Sequence, residues 1–140
     1  MSQPSLIDAA KAPTLAYNKK DWNAVRAAVT PDFVYEEVAT QRKLQGIEPV
    51  LACWQGWATT CPGEATLHNA YASGNIVILE LTWRGTHSGP LQTATRQIPA
   101  TGKPFELRAC QVLEIANGKA KMMRQYFDLA SLFQQLGVSS

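Results

Sequence analysis

Three side chains that can move a proton stand next to apolar segments of this sequence. Asp128 lies between "AKMMRQYF" and "LASLF", His87 follows the apolar run "NIVILEL" through "TWRGT", and Glu37 lies in "DFVYEEV". Desolvation disfavours the charged form of a carboxylate and moves it towards the range useful for proton transfer at neutral pH. A histidine can donate through one ring nitrogen and accept through the other, which would polarise a carbonyl or hold an enolate oxygen. These residues are therefore candidates for acid/base chemistry.

Each of the three also has a structural interpretation. Asp128 is well placed as the N-cap of the helix predicted after it. The alternation that starts at Val77 puts His87 on a strand face with apolar residues. If that face lines a pocket, His87 lies at the pocket mouth. If that face packs on a partner, His87 is an interface residue. A turn histidine bonded to backbone groups near Gly85 and Gly89 is the third possibility.

Glu37 shares one face of its strand with two aromatic residues. In "DFVYEEV", alternation puts Phe33, Tyr35 and Glu37 on the same side. Glu37 is thus a candidate pocket base. A salt bridge to Arg108 or Arg124 is the structural alternative.

Aromatic side chains at several positions are suited to stacking a flat or cyclic ligand, although aromatic residues at such spacings also form cores. The candidates for substrate binding are Tyr35, Trp54, Trp57, Trp83 and Tyr126. Arg108 is a further candidate as a polar anchor, as is Gln111. Because these two lie on opposite faces of one predicted strand, they cannot both point into a pocket.

The charge distribution argues against a nucleic-acid partner. Thirteen basic and eleven acidic residues give a formal net charge of +2, and the basic residues are scattered. A nucleic-acid surface needs a denser basic stripe. The composition, 46% apolar and 17% charged, predicts an ordinary folded protein.

Neither a membrane segment nor a metal site is indicated. No apolar run approaches the ~20 residues that span a bilayer, and the N-terminus lacks a basic segment followed by an apolar one. We therefore expect a cytoplasmic protein without membrane partners. Cys53, Cys61 and Cys110 make no CxxC pair and stand far from His68 and His87, so we expect buried thiols and no metal.

The predicted helices lie mostly in the first half of the chain. Apolar spacing from Leu6 to Val29 indicates two helices, the first kinked or interrupted by Pro13 and the second capped by Asp21 and stopped by Pro31. A third helix follows Gly46, and a short one, "DLASLFQQL", precedes Gly137.

The predicted strands lie mostly in the second half. "DFVYEEV" comes first, and the segments "ATLHNAYAS", "IVILELTWR", "KPFELRACQVLEI" and "AKMMRQYF" follow, with Asn-Gly as a hairpin signal before the last. Helices to one side of a mostly antiparallel sheet make an α+β fold. We expect one domain over residues 1–140.

The order of elements, together with "WRGTHSGPL", "PATGKPFELRACQVLEIANGKAKMMRQYFD" and "QQLG", resembles the SnoaL-like polyketide cyclases. They belong to the nuclear transport factor 2-like and ketosteroid isomerase-like superfamily. The resemblance implies a cone-shaped, curved sheet wrapped around N-terminal helices, an apolar pocket and a homodimer formed through the outer face of the sheet.

The resemblance also implies roles for single residues. In the cyclases an aspartate near the chain end acts as acid and base without a cofactor, and Asp128 matches it. Glu37 matches the general base of the ketosteroid isomerases, which is an aspartate there. Their oxyanion tyrosine falls at about Pro13, with Tyr17 one turn away.

The leading hypothesis is a cofactor-free enzyme for aldol cyclisation or isomerisation of a small apolar carbonyl compound. Asp128 would be the base and acid, supported by His87 and Glu37. An epoxide hydrolase or dehydratase is an alternative, with Asp128, Arg108 and Glu37 as an imperfect Asp-Arg-Asp analogue. A ligand-binding or dimeric interaction module without turnover is the third hypothesis. Asp128 and His87 clustered in one pocket would favour an enzyme.

Overall fold

The computed structural model describes residues 2–93 and 95–138. Within these ranges the helices are α1 (Gln3–Asn18), α2 (Trp22–Ala28), α3 (Ile47–Thr60) and α4 (Leu129–Leu136), with a 3-10 turn at Val38–Thr40. The strands are β1 (Val29–Glu37), β2 (Arg42–Gln45), β3 (Gly63–Ser73), β4 (Ile76–Thr86), β5 (Leu91–Gln92), β6 (Gln97–Ile98), β7 (Pro104–Ala116) and β8 (Lys119–Phe127).

Six of these strands form one curled, unclosed sheet in the order β2-β1-β8-β7-β4-β3. All neighbours are antiparallel except β1 and β8, which run parallel. α1 packs against β3, β4, β7 and β8, and α3 packs against β1 and β2. The predicted α+β class and mostly antiparallel sheet are confirmed.

Strand alternation decides which side chains lie on the inner face of the sheet. Phe33, Tyr35 and Glu37 of β1 are all buried, as are Gln111 of β7 and Gln125 of β8. Because alternate residues of a strand point to opposite faces, one face carries these side chains towards the helices and the other faces outwards. The predicted shared face of the three β1 residues is confirmed.

The N-terminal helix differs from its prediction. We expected Pro13 to kink or interrupt this helix. α1 is continuous from Gln3 to Asn18 and carries the buried Pro13 inside it, so the helix is not interrupted. One proline removes a single backbone donor, which packing of the helix against four strands outweighs. Pro31, predicted to stop the second helix, instead lies within β1. In the described residues, no helix has the length and apolar character to cross a membrane.

Helix caps and one short hairpin close the end of the sheet near α4. Asp128 Oδ1 accepts a hydrogen bond from the Ala130 backbone N–H at 3.0 Å, and Gly137, with φ of 74°, ends the helix. Two short strands that the sequence analysis did not predict, β5 and β6, pair with each other. Their residues Leu91 and Ile98 pack into a second apolar cluster with the buried side of α4.

Candidate active site

A cavity that is partly open to solvent lies between the helices and the inner face of the sheet; the empty space in it and in its solvent-filled opening together is about 690 Å³. Side chains from α1, β1, α3, β4, β7, β8 and α4 line it. Most are apolar or aromatic: Tyr17, Tyr35, Trp54, Trp57, Cys61, Trp83, Phe105, Leu107, Met123, Phe127 and Leu132. The polar members are Thr14, Glu37, Gln111 and Gln125. Glu37 is thus the only carboxylate among the described residues that line this cavity.

Glu37 is 1% exposed and accepts hydrogen bonds from three donors. Its Oε2 accepts from the Tyr35 hydroxyl at 2.7 Å and from Trp57 Nε1 at 2.8 Å, and its Oε1 accepts from the Thr40 hydroxyl at 2.8 Å. Donors aimed at a carboxylate stabilise its charged form. Because a carboxylate offers about four acceptor positions, one position of Glu37 remains for a proton or ligand.

A chain of buried polar groups continues from Tyr35 across the sheet. Gln125 Nε2 donates to the Tyr35 hydroxyl oxygen at 2.9 Å. Gln125 Oε1 in turn accepts from Trp83 Nε1 and from Gln111 Nε2, each at 2.9 Å. Gln111 also exchanges hydrogen bonds with the Thr14 hydroxyl on α1. These inner-face groups therefore satisfy one another, as buried polar groups must.

Burial and the charge of Glu37 keep the neighbouring acidic groups protonated. Desolvation by burial, followed by the charge of Glu37, raises the pKa of Tyr35 well above its ordinary value. The same two causes raise the pKa of the Cys53 thiol to about 11, against the opposing influence of Arg42. Hydrogen bonding from Gln125 opposes the shift at Tyr35. Both groups are therefore neutral at physiological pH.

Tyr17, on α1, adds a phenol hydroxyl to the cavity wall. Its ring makes edge-to-face contacts with Trp22, Trp54 and Trp83 at centroid distances of 5.7, 6.4 and 5.3 Å. Burial is the main cause that raises the pKa of Tyr17 above its ordinary value, and Glu37 adds to it. Within the described part of the chain, its hydroxyl makes no hydrogen bond. Tyr17 thus offers a protonated phenol to a ligand.

Asp128, the predicted acid and base, lies outside the cavity. It is exposed and its carboxylate caps α4. The expectation that Asp128 is partly desolvated is therefore wrong. β8 ends at Phe127, whose side chain lines the cavity, and Asp128 follows it as the N-cap of α4.

His87 is fully buried but does not line the cavity. Its Nδ1 accepts from the Thr101 backbone N–H at 3.2 Å and lies 3.0 Å from the Thr101 hydroxyl. Its backbone N–H donates to the Lys103 carbonyl and its carbonyl accepts from Gly102. Desolvation lowers the pKa of His87, against an opposing hydrogen bond with the Gly89 backbone. His87 thus holds residues 101–103 against the end of β4. Of the alternatives for His87, the position at a pocket mouth is wrong, and it forms no pair with Asp128 in the cavity.

Two predicted binding residues point away from the cavity. Arg108 of β7 and Tyr126 of β8 are both exposed on the outer face of the sheet, where alternation places them. The predicted salt bridge of Glu37 to Arg108 or Arg124 is absent from the described ion pairs. Glu37, Arg108 and Asp128 therefore do not form the analogue of an Asp-Arg-Asp site.

The remaining predicted residues line the cavity together: Glu37, Tyr35, Trp54, Trp57 and Trp83. Gln125, Thr14 and Thr40 were not among the residues predicted from the sequence, and Gln111 was a candidate only as a polar anchor. Alternation between Met123 and Phe127 was the available signal for Gln125, since a glutamine between two apolar inner-face residues needs buried partners. In the described residues, no cluster of three or more His, Cys, Asp or Glu side chains could hold a metal ion.

Comparison with known proteins agrees with this architecture. The model of the SnoaL-like polyketide cyclases matches residues 7–136, whereas no curated protein sequence matches the chain. TsrD from Streptomyces laurentii is 25% identical, with 98% of each chain covered and a TM-score of 0.82. IdmH from Streptomyces antibioticus, provisionally described as a polyketide cyclase, is 25% identical over 98% of this chain and 100% of its own, with a TM-score of 0.79.

A third solved structure shares the fold. It is a protein with a ketosteroid isomerase-like fold from Catenulispora acidiphila in complex with trimethylamine, 19% identical over 94% of this chain and 93% of its own, with a TM-score of 0.78. At this identity the likeness concerns the fold alone. The family match extends over both the helices and the strands that line the cavity. The chain belongs to the SnoaL-like polyketide cyclase family.

Proposed function

We propose that this chain is a cofactor-free acid/base enzyme that acts on a small apolar carbonyl compound. Glu37 would remove a proton from the carbon next to the carbonyl group, and the resulting enolate would isomerise or attack a second carbonyl in an aldol cyclisation. The observation that carries this proposal is a carboxylate that is 1% exposed, bound by three donors, and part of the wall of an apolar cavity.

Tyr17 supplies the second group that such a reaction needs. Removal of the proton places negative charge on the carbonyl oxygen of the substrate, and a donor that meets this charge lowers the barrier. The phenol of Tyr17 stays protonated and lines the same cavity. The aromatic rings of Trp54, Trp57 and Trp83 would hold the apolar body of the substrate.

Exchange of the substrate's carbon-bound hydrogen with D₂O tests the proton transfer directly, without requiring that cyclisation be completed. A panel of monocyclic and polycyclic ketones and diketones would be incubated with the wild-type protein and followed by NMR and mass spectrometry. We expect Glu37→Gln to slow exchange by about 10²–10⁴-fold. For Tyr17→Phe we expect a loss of about 10²–10³-fold.

Asp128→Asn separates this proposal from the assignment that the sequence predicted. Because Asp128 caps α4 at the surface, we expect this variant to exchange as the wild type does. Exchange that persists in Glu37→Gln, or that is lost in Asp128→Asn with the fold intact, would contradict Glu37 as the base.

A second candidate function is binding of a small amine without turnover. Glu37 has no salt bridge in the described residues, and aromatic rings surround it, which is an environment that favours an organic cation. The Catenulispora acidiphila protein was solved with trimethylamine. Tetramethylammonium that quenches tryptophan fluorescence in the wild type but not in Glu37→Gln, in a protein that exchanges no ketone, would favour this function.

The homodimer and the cytoplasmic location are also proposals. The outer face of the sheet exposes Tyr71, Ile78 and Tyr126, of which Tyr71 is 56% exposed, and these apolar side chains would be covered in a dimer. Light scattering of the wild type and of Ile78→Glu tests the dimer, since a charge in this face would separate the protomers. Fractionation of the producing cells tests the location.

A further inference from the structure

The two carboxylate oxygens of Glu37 differ in whether their hydrogen-bond donors can turn to another acceptor. The two donors to Oε2 cannot. Trp57 Nε1 carries one hydrogen and can only donate. The Tyr35 hydroxyl is oriented by Gln125, whose amide has one possible orientation, because Trp83 Nε1 must meet its oxygen. With Gln125 Nε2 donating to Tyr35, the phenolic hydrogen goes to Glu37. Both donors to Oε2 are therefore fixed.

The single donor to Oε1 can turn. Thr40 ends the 3-10 turn that follows β1, and its hydroxyl lies 2.8 Å from Glu37 Oε1 and 3.3 Å from the main-chain carbonyl oxygen of Glu37. One hydroxyl hydrogen thus has two acceptors within reach, and the shorter contact is the one to the carboxylate. Rotation about one side-chain bond moves the hydrogen bond from Oε1 to the carbonyl.

We propose that Oε1 of Glu37 is the atom that takes up the proton, and that Thr40 is a positioning residue whose hydroxyl turns to the main-chain carbonyl of Glu37 as this happens. This inference rests on the proposed function for the source of the proton. The carbon–hydrogen bond of the substrate breaks, its electron pair passes to the carbonyl oxygen as an enolate, and the proton bonds to Oε1. Return of the proton to carbon or oxygen of the product restores the carboxylate and the Thr40 hydrogen bond.

Among the described residues, no other group next to Glu37 changes its charge over the range in which a carboxyl group titrates. Tyr35 on the same strand, Tyr17 on α1 and Cys53 on α3 remain neutral because burial raises their pKa values. Arg42, the neighbour of Glu37 across the β1–β2 pair, remains charged. A titration of Glu37 therefore reports on its own donors.

The test follows ionisation of Glu37 in protein with ¹³C-labelled glutamate carboxyl groups, by NMR between about pH 4 and pH 8. The Glu37 signal is assigned by its absence from Glu37→Gln. Thr40→Val removes the hydroxyl at nearly constant volume, so we expect the titration midpoint of Glu37 to rise by about one pH unit. Thr40→Ser retains the hydroxyl, so the titration midpoint of Glu37 in this variant should lie within a few tenths of a pH unit of the wild-type midpoint. That difference is about the precision of the measurement.

Two further variants make the test specific. Thr59→Val removes a hydroxyl that bonds only to the Gln55 carbonyl in α3, and it should leave Glu37 unchanged. Tyr35→Phe removes a hydrogen bond to Oε2 that is present whether Glu37 is protonated or not. The titration midpoint of Glu37 should therefore shift less in Tyr35→Phe than in Thr40→Val. If Thr40→Val does not fold, Thr40→Ala carries the same expectation.

An unchanged midpoint in Thr40→Val, a shift in Thr40→Ser as large as in Thr40→Val, or a larger shift in Tyr35→Phe would overturn the inference. Failure of the proposed function looks different. The wild type would then exchange no ketone hydrogen, whatever the titration shows. If Glu37→Gln loses exchange but Thr40→Val leaves the titration midpoint of Glu37 unchanged, only the role of Thr40 is rejected.

Discussion

Tyr35 connects the two halves of the buried polar chain, and its hydroxyl is expected to contribute strongly to stability. In Tyr35→Phe, Glu37 loses a donor at 2.7 Å and the Nε2 group of Gln125 loses its acceptor at 2.9 Å. A hydrogen bond to a charged acceptor contributes about 2 kcal/mol, and a buried donor left unpaired costs about 1 kcal/mol or more. We expect the free energy of unfolding to fall by about 3 kcal/mol, which is about a 10²-fold change in the folding equilibrium.

Urea unfolding followed by tryptophan fluorescence measures this difference. The matched control is Tyr71→Phe, which removes an exposed hydroxyl that lies 3.3 Å from Glu80, and we expect it to change stability by less than about 0.5 kcal/mol. A double-mutant cycle of Tyr35→Phe with Gln125→Leu should show coupling, because both changes remove the same contact. If Tyr35→Phe is as stable as Tyr71→Phe, or if the cycle shows no coupling, the polar chain does not exist as described.

Three further predictions concern residues outside the buried polar chain. Asp128→Ala should lower the free energy of unfolding by about 1 kcal/mol, as Asp21→Ala should, because each removes a helix N-cap; urea unfolding of both variants checks this. Gly63→Ala should strongly destabilise the protein, because the added Cβ would overlap the Arg84 carbonyl oxygen. Gly56→Ala, in open space within α3, should stabilise the protein by about 0.5–1 kcal/mol. The melting temperatures of the two variants, compared with that of the wild type, test both expectations. His87 has a lowered pKa when folded, so its contribution is complete above about pH 6.5 and is lost as pH falls towards that lowered value. The free energy of unfolding of the wild type should therefore fall between about pH 7.5 and pH 5.5 by more than that of His87→Gln does. An equal fall in the two proteins would contradict this.

Residues inside regular elements were predictable because periodicity decides their direction. Alternation along β1 placed Tyr35 and Glu37 on the inner face, and helical spacing placed Trp54 and Trp57 on one side of α3. The same rule separated Gln111 from Arg108, although it did not say which of them faces inwards. That choice depends on which face of the sheet α1 covers, and a single strand contains no information about it.

Residues at the ends of elements were not predictable in this way. Asp128 stands one residue beyond β8, where the backbone changes from a strand to a helix and alternation no longer applies. His87 stands one residue beyond β4, and the Thr101 that binds it comes from the return of a segment fourteen residues later. Both residues were correctly associated with element boundaries. Their partners, however, are set by the local chain path.

The buried polar chain is the feature of this fold that stability alone does not require. A fully satisfied network contributes little over an apolar core of the same shape, and a network that has lost one member is worse than either. Five polar side chains from α1, β1, β7 and β8 nevertheless meet beside one cavity, and their donors lead to the carboxylate of Glu37. Apolar side chains of similar shape at every position of this network would serve folding as well. The arrangement is explained if its role is to orient one carboxylate in the wall of an apolar cavity, which is what both an acid/base site and a cation site need.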